Sequence, residues 1–148
     1  MEGKENVGWL VMLAVAGGLA VTLQAQFMGV MTDRLGAVES IFITYGTGGV
    51  AIGLVMLAMR GGNLAAWTSV PWYVLTSGLL GLLIVGAIGY TVPRLGLVAA
   101  LSLLILAQFA MASVVDHFGL FGAEVRPFDM SRAVGLAAVL IGSWLVLR

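Results

Sequence analysis

LGLVAALSLLILAQFAMASVV, residues 95–115, carries no charged side chain along its whole length. At about 1.5 Å of rise per residue such a run crosses the roughly 30 Å hydrocarbon core of a bilayer, so reading it as a transmembrane helix decides the fold class. Four similar stretches surround it. Before it, residues 72–92 follow Pro71, a good first-turn residue, and open with Trp72 and Tyr73 at the level of an interfacial aromatic belt. Earlier still come residues 39–59 and Val7 to Thr32, the latter interrupted only by Thr22, Gln24, Gln26 and Thr32 itself. After it, residues 131–147 start beside Asp129 or Ser131, either one a sound N-cap, and run to Trp144 and Arg148 as interfacial anchors. The expectation is an all-α membrane protein of five transmembrane helices, forming a single transmembrane domain over residues 1–148. The first stretch is read as a helix and not as a cleaved signal, because Glu2 and Glu5 oppose Lys4 and the run exceeds the roughly 7–15 apolar residues of a signal core.

Composition agrees with that reading. The 148 residues are 61% hydrophobic and only 9% charged, against about 25% charged in ordinary soluble domains. Seven basic and seven acidic residues cancel, which leaves no basic footprint for nucleic acid. The absence of cysteine excludes thiolate metal sites and redox motifs, and neither a cofactor nor a metal is expected. Twenty-one glycines suit close helix contact in lipid.

Lysine and arginine set membrane orientation, and here they barely choose. Lys4, Arg60, Arg126 and Arg132 fall on the side of the N-terminus and Arg34, Arg94 and Arg148 on the other, so the chain is expected to insert both ways. A faint repeat at an offset of 60 aligns MTDRLGAV (31–38) with TVPRLGLV (91–98), matching Gly29 with Gly89, Arg34 with Arg94 and Gly36 with Gly96.

Catalytic patterns are weak. GTGGVAIG (46–53) approaches a dinucleotide fingerprint but has Ala51 in place of its last glycine and no preceding strand; Gly49 and Gly53 read instead as a GxxxG packing step. Ser113, Asp116 and His117 have the residue types of a serine hydrolase, yet on a helix Asp116 projects about 100° away from His117 and no oxyanion-hole motif accompanies them.

Polar groups inside the spans carry more weight, since an amide without a partner is expensive in hydrocarbon. Gln24 or Gln26, two apart and therefore about 200° apart, can face a cavity or tie helices together, and so can Gln108. Gln108, Ala112 and Asp116 share one helix face, and Tyr45, Thr44 and Thr47 are further candidates for contacting substrate. Asp116 and His117 are expected to tie the end of the fourth helix to the loop after it. No carboxylate lies deep in any span, so a mid-membrane proton-exchanging acid is not visible.

QFAMASVVDHFGLFG (108–122), followed from Arg126 by RPFDMSRAVGLAAVLIGSWLV, resembles the signature of the YdcZ family. This is a five-helix branch of the drug/metabolite transporter superfamily, related to the small multidrug resistance exporters. The likeness centres on Gln108, Ser113, Asp116, His117, Phe118 and Gly119 and extends through Arg126, Pro127 and Arg132 to the glutamine-bearing first helix, the Gly46-Thr47-Gly48 step and both Arg-Leu-Gly turns. It implies a bacterial inner-membrane exporter of small molecules, in a family known for dual-topology genes, oppositely oriented pairs and fused forms. The related exporters carry a central glutamate in helix one where this chain has only Gln24 and Gln26, so exchange of cationic drug for protons does not carry over. The expected function is alternating-access transport at a site shared by two oppositely inserted subunits of an antiparallel homodimer in the lipid bilayer. Helix five, with Gly135, Ala138 and Gly142 on one face, is the expected dimer contact. The alternative is a passive pore or a structural subunit of a larger membrane complex.

Overall fold

A computed structural model describes residues 7–148, and the charges at Glu2, Lys4 and Glu5 lie outside the described residues. The apolar stretches become helices: α1 (Val7–Leu35), α2 (Ala37–Ala58), α3 (Ser77–Leu95), α4 (Leu97–Phe118) and α5 (Met130–Val146). No strand occurs among the described residues. Val7–Leu35, Ala37–Ala58, Trp72–Leu95 and Leu97–Phe118 are long and apolar enough to cross a membrane, and α5 is a shorter apolar helix of 17 residues, about 26 Å of rise. α1 runs past the uncharged stretch through Asp33 and Arg34, whose guanidinium in the last turn complements the negative helix end. Its 29 residues rise about 43 Å, so it tilts in the bilayer or projects from it.

Helix ends follow local chemistry. The third span opens not as α-helix but as a 3-10 turn, Trp72–Thr76, in which the Val74 N–H bonds to the Pro71 carbonyl and the Thr76 hydroxyl to the Tyr73 carbonyl. Three residues back is the 3-10 spacing, and it delays the α-geometry to Ser77. Asp129, not Ser131, caps α5: its carboxylate accepts the Arg132 N–H at 2.8 Å.

The 60-residue repeat is visible in the backbone. Gly36 (φ 106°, ψ 161°) and Gly96 (φ 83°, ψ 156°) adopt nearly the same conformation, in a region essentially closed to side-chain-bearing residues, and each precedes a helix whose first bond returns to its carbonyl. One Arg-Leu-Gly sequence thus makes one kind of sharp junction twice.

The chain divides into two compact units, Met1–Arg94 and Leu95–Arg148. In the first, α1 and α2 form a hairpin and α3 packs against both through glycines. A Cβ placed on Gly29 would lie 3.0 Å from Val92 Cγ1, and one on Gly89 would lie 2.8 Å from Thr32 Oγ1. Gly29 and Gly89 are repeat equivalents, as are Thr32 and Val92, so the α1–α3 contact is reciprocal, as in a two-fold interface. Ala25, Met28, Val85, Ile88 and Val92 are buried around it. Thr32 Oγ1 is a buried oxygen without a hydrogen bond, and it faces Gly89, whose carbonyl lacks its usual helical donor because residue 93 is proline. In the second unit α4 and α5 lie side by side, joined by Ser143 Oγ donating to the Ser102 carbonyl at 3.4 Å and by a polar clasp at the other end.

Candidate functional site

Two open cavities flank the α1–α2 seam of the first unit. One, of about 430 Å³, is lined by Gln24, Thr44, Tyr45, Gly48, Gly49, Ile52 and Val85. The other, of about 490 Å³, shares Gln24 and Thr44 and adds Thr47 beside Phe27, Met28 and Met31. The fold therefore brings Gln24, Tyr45, Thr47 and Gly49 together, while Gln26 lies outside both cavities.

The hydroxyls on these walls differ in what they can still offer. Thr47 donates within its own helix, to the Ile43 and Thr44 carbonyls at 2.8 and 3.2 Å. Thr44 donates across the seam to Met28 Sδ at 2.7 Å, which fixes α1 against α2. The Tyr45 hydroxyl and the Gln24 amide have no hydrogen-bond partner among the described residues, and Tyr45 leans over Gly81 of α3, where any Cβ would meet its hydroxyl. Gln24 lies about 4.5 Å along the axis from the midpoint of α1 and is exposed on the surface of the chain. Tertiary contacts along the seam thus leave the Gln24 amide exposed on a cavity wall and the Tyr45 hydroxyl, without a hydrogen bond, against Gly81.

Other glycines of α2 are bare. Among the described residues nothing lies within 4 Å of a Cβ built on Gly46, Gly48, Gly49 or Gly53, so the GxxxG step is an open surface of α2 within the first unit. Gly135 and Gly142 of α5 are equally open. In the second unit Gln108 sits at the middle of α4, exposed and also without a hydrogen-bond partner.

Asp116 and His117 belong to the clasp that closes α4 onto the following loop. The Arg126 N–H bonds to the Asp116 carbonyl at 2.9 Å and the Phe128 N–H to His117 Nδ1 at 3.0 Å, which assigns the ring proton of neutral His117 to Nε2. Arg132 Nη1 reaches the Asp116 carboxylate and the Arg126 carbonyl, each at 3.3 Å. Gly119 ends α4 in the left-handed conformation (φ 61°), and a Cβ there would strike Val125 Cγ2 at 2.7 Å. Ser113 Oγ donates to its own helix at Phe109, so no serine–histidine bond forms. Farther out, Arg126 pairs with Glu124 at 2.8 Å; its hydrogen bond and charge hold the exposed Glu124 carboxyl below the usual glutamate value and raise the guanidinium in turn.

Residues 9–145 match the family model described as "Putative inner membrane exporter, YdcZ", a drug/metabolite transporter family. The chain belongs to that family. Neither a curated protein nor a solved structure matches it. Membership makes it a multi-pass inner-membrane protein of a transport family, in keeping with four long apolar helices and a shorter fifth.

Sequence reasoning did not single out Met28 as a hydroxyl acceptor or Gly81 as the seat of Tyr45, because contacts across helices depend on rotation angles that spacing alone leaves free. The pairing of Arg132 with Asp116, sixteen residues apart, was hidden by the intervening loop.

Proposed function

We propose that the chain is half of a small-molecule exporter: two oppositely inserted copies face one another across the α1–α2 seam and enclose a shared central site that opens alternately to each side. The observation that carries the proposal is the Gln24 amide, unpaired and exposed close to the middle of α1. An amide facing hydrocarbon is costly, and a second copy that turns this surface into a wetted interior removes the cost. Open glycines on α2 and α5 supply surfaces that another backbone can approach closely. The near-even arginine distribution allows both insertions, and an inverted copy provides the inverted repeat that transporters use to alternate.

Amide, phenol, hydroxyl and thioether groups around Gln24 suit a small neutral or amphipathic solute better than a fixed charge. Gln24 and Tyr45 would orient the solute by hydrogen bonds while Ile52 and Val85 cover its apolar part. Gln108 needs a partner for the same reason as Gln24.

Orientation is the test. A single cysteine replacing Asn63 in this cysteine-free chain, probed from outside in intact cells, is expected to label in about half the molecules, as two oppositely inserted populations require. Labelling of all or none contradicts the antiparallel homodimer. In proteoliposomes, flux that saturates and shows counterflow is expected of a carrier, whereas ohmic current assigns a pore.

A further inference from the structure

At the outer end of the α4–α5 seam, a cavity of about 350 Å³ is lined by Phe109, Ala112, Asp116, Arg132, Leu136 and Val139, with Ser113 and Gly135 between them. Its two charges sit at one end. Asp116 lies in the last turn of α4 and Arg132 in the first turn of α5, so both are at the level of a membrane surface. Phe109 and Val139 each lie seven residues farther into the span, about 10 Å deeper. The result is a charged mouth over an apolar floor, within one pair of helices.

The ion pair leaves capacity unused. Only Nη1 of Arg132 is engaged, by Asp116 Oδ2 and the Arg126 carbonyl, both at a long 3.3 Å, which leaves Nε and Nη2 without partners among the described residues. Asp116 Oδ1 is likewise unbonded, and both side chains are about one-third exposed, at 33% and 38%. Guanidinium forks suit phosphate and carboxylate oxygens, while a carboxylate oxygen accepts from an ammonium group.

We propose that this cavity is a binding site for a zwitterionic phospholipid of the ethanolamine type. Its phosphate lies on the open edge of the Arg132 guanidinium, its ammonium on Asp116 Oδ1, and the start of one acyl chain on Phe109, Leu136 and Val139. A free zwitterion with an apolar side chain offers the same paired charges. The lipid is the better occupant because the cavity is open, with its charges at interfacial depth and its apolar floor deeper in the span, so a tail need not be enclosed by the protein. This site is separate from the Gln24 cavity, and the inference does not depend on the transport mechanism.

The test is native mass spectrometry of the full chain released from nanodiscs that contain equal amounts of ethanolamine and glycerol phospholipid. Ethanolamine lipid is expected to be retained over glycerol lipid by about tenfold, the worth of one charge-assisted hydrogen bond. Asp116→Asn is expected to abolish the preference, and Arg132→Gln to lower retention of both lipids. Val139→Phe, which fills the floor and leaves the charges in place, is expected to lower retention of both lipids without loss of the folded chain. Equal retention of the two lipids by the unaltered chain overturns the proposal whatever the variants do. Thermal stabilisation by free leucine in discs lacking ethanolamine lipid, with no lipid preference, overturns the lipid as ligand and assigns the paired charges to a soluble zwitterion.

Discussion

The two units hold their helices together by different means. In the first, α3 approaches its neighbours where side chains are missing: Gly81 under Tyr45, Gly86 with a Cβ position 3.2 Å from Ile41, and Gly89 against Thr32 and Met28. In the second, nothing among the described residues lies within 4 Å of a Cβ on Gly135 or Gly142 of α5, and hydrogen bonds join the helices from Ser143 to Ser102 at one end and through the Asp116–Arg132 clasp at the other. At these three glycines the missing side chain lets a neighbouring side chain make van der Waals contact directly with the α3 backbone. In the second unit the polar bonds sit at the two ends of helices that lie close together between them. The difference teaches that glycine content alone does not report packing: the same residue is a contact in α3 and an unfilled surface in α5.

The largest effect that tests this contrast is on packing. Gly89→Val is expected to destabilise the folded chain by about 3 kcal/mol, at the upper end for overpacking, because its Cβ alone would sit 2.8 Å from Thr32 Oγ1 and 3.3 Å from Met28 Cε. Gly142→Val, with open space at its Cβ, is expected to stay within about 0.5 kcal/mol in the monomer. Thermal unfolding of both variants in detergent decides the matter. If Gly142→Val proves as damaging as Gly89→Val, that face of α5 is packed against something outside its own unit, and the comparison turns into a map of that contact.

A smaller effect is expected to be shared by both units. Gly36→Ala and Gly96→Ala force alanine into a conformation that costs about 1–3 kcal/mol. At Gly36 the added Cβ also meets the flexible Glu39 carboxylate, which can move aside, so the two losses are expected to be nearly equal. Equal losses show that the repeat is a property of the local junction. A much larger loss at Gly96 than at Gly36 would show that the second junction bears a load the first does not.

The repeat was legible because a one-residue backbone requirement leaves a one-residue signature: an Arg-Leu-Gly string announces both junctions. Spans were legible for a related reason, since the absence of charge is a condition on every residue of the run. Ends were less so. Residues Trp72–Thr76 have the apolar character of the span they open, and only the hydrogen bonds behind Pro71 show that the turn is 3-10. The placement of Gln24 on a cavity wall and of Gln26 away from it depends on how α1 rotates against α2, and the sequence narrowed that choice to one of the two without selecting between them. Reciprocity between Gly29 and Gly89 needed both the repeat and the contact to be seen.

The smallest expected effect concerns the loop that the clasp holds. Glu124 is fully exposed, and its carboxyl is held below the ordinary glutamate value by its hydrogen bond to Arg126 and then by that residue's charge. A carboxyl whose folded value is depressed contributes stability that is present above its unfolded value and lost as pH falls through the folded one. Any contribution of the pair is therefore present above the usual glutamate range, is lost as pH falls through and below it, and is screened by water and salt. Glu124→Gln is expected to leave the unfolding midpoint at neutral pH unchanged within error and to remove only a slight acid-side slope. The Asp116, His117 and Arg132 contacts, by contrast, anchor the same loop through backbone groups that do not depend on Glu124. A clear loss of stability in Glu124→Gln at neutral pH would mean that the exposed pair, and not the backbone clasp, closes the second unit, and the contrast between the two units would have to be drawn elsewhere.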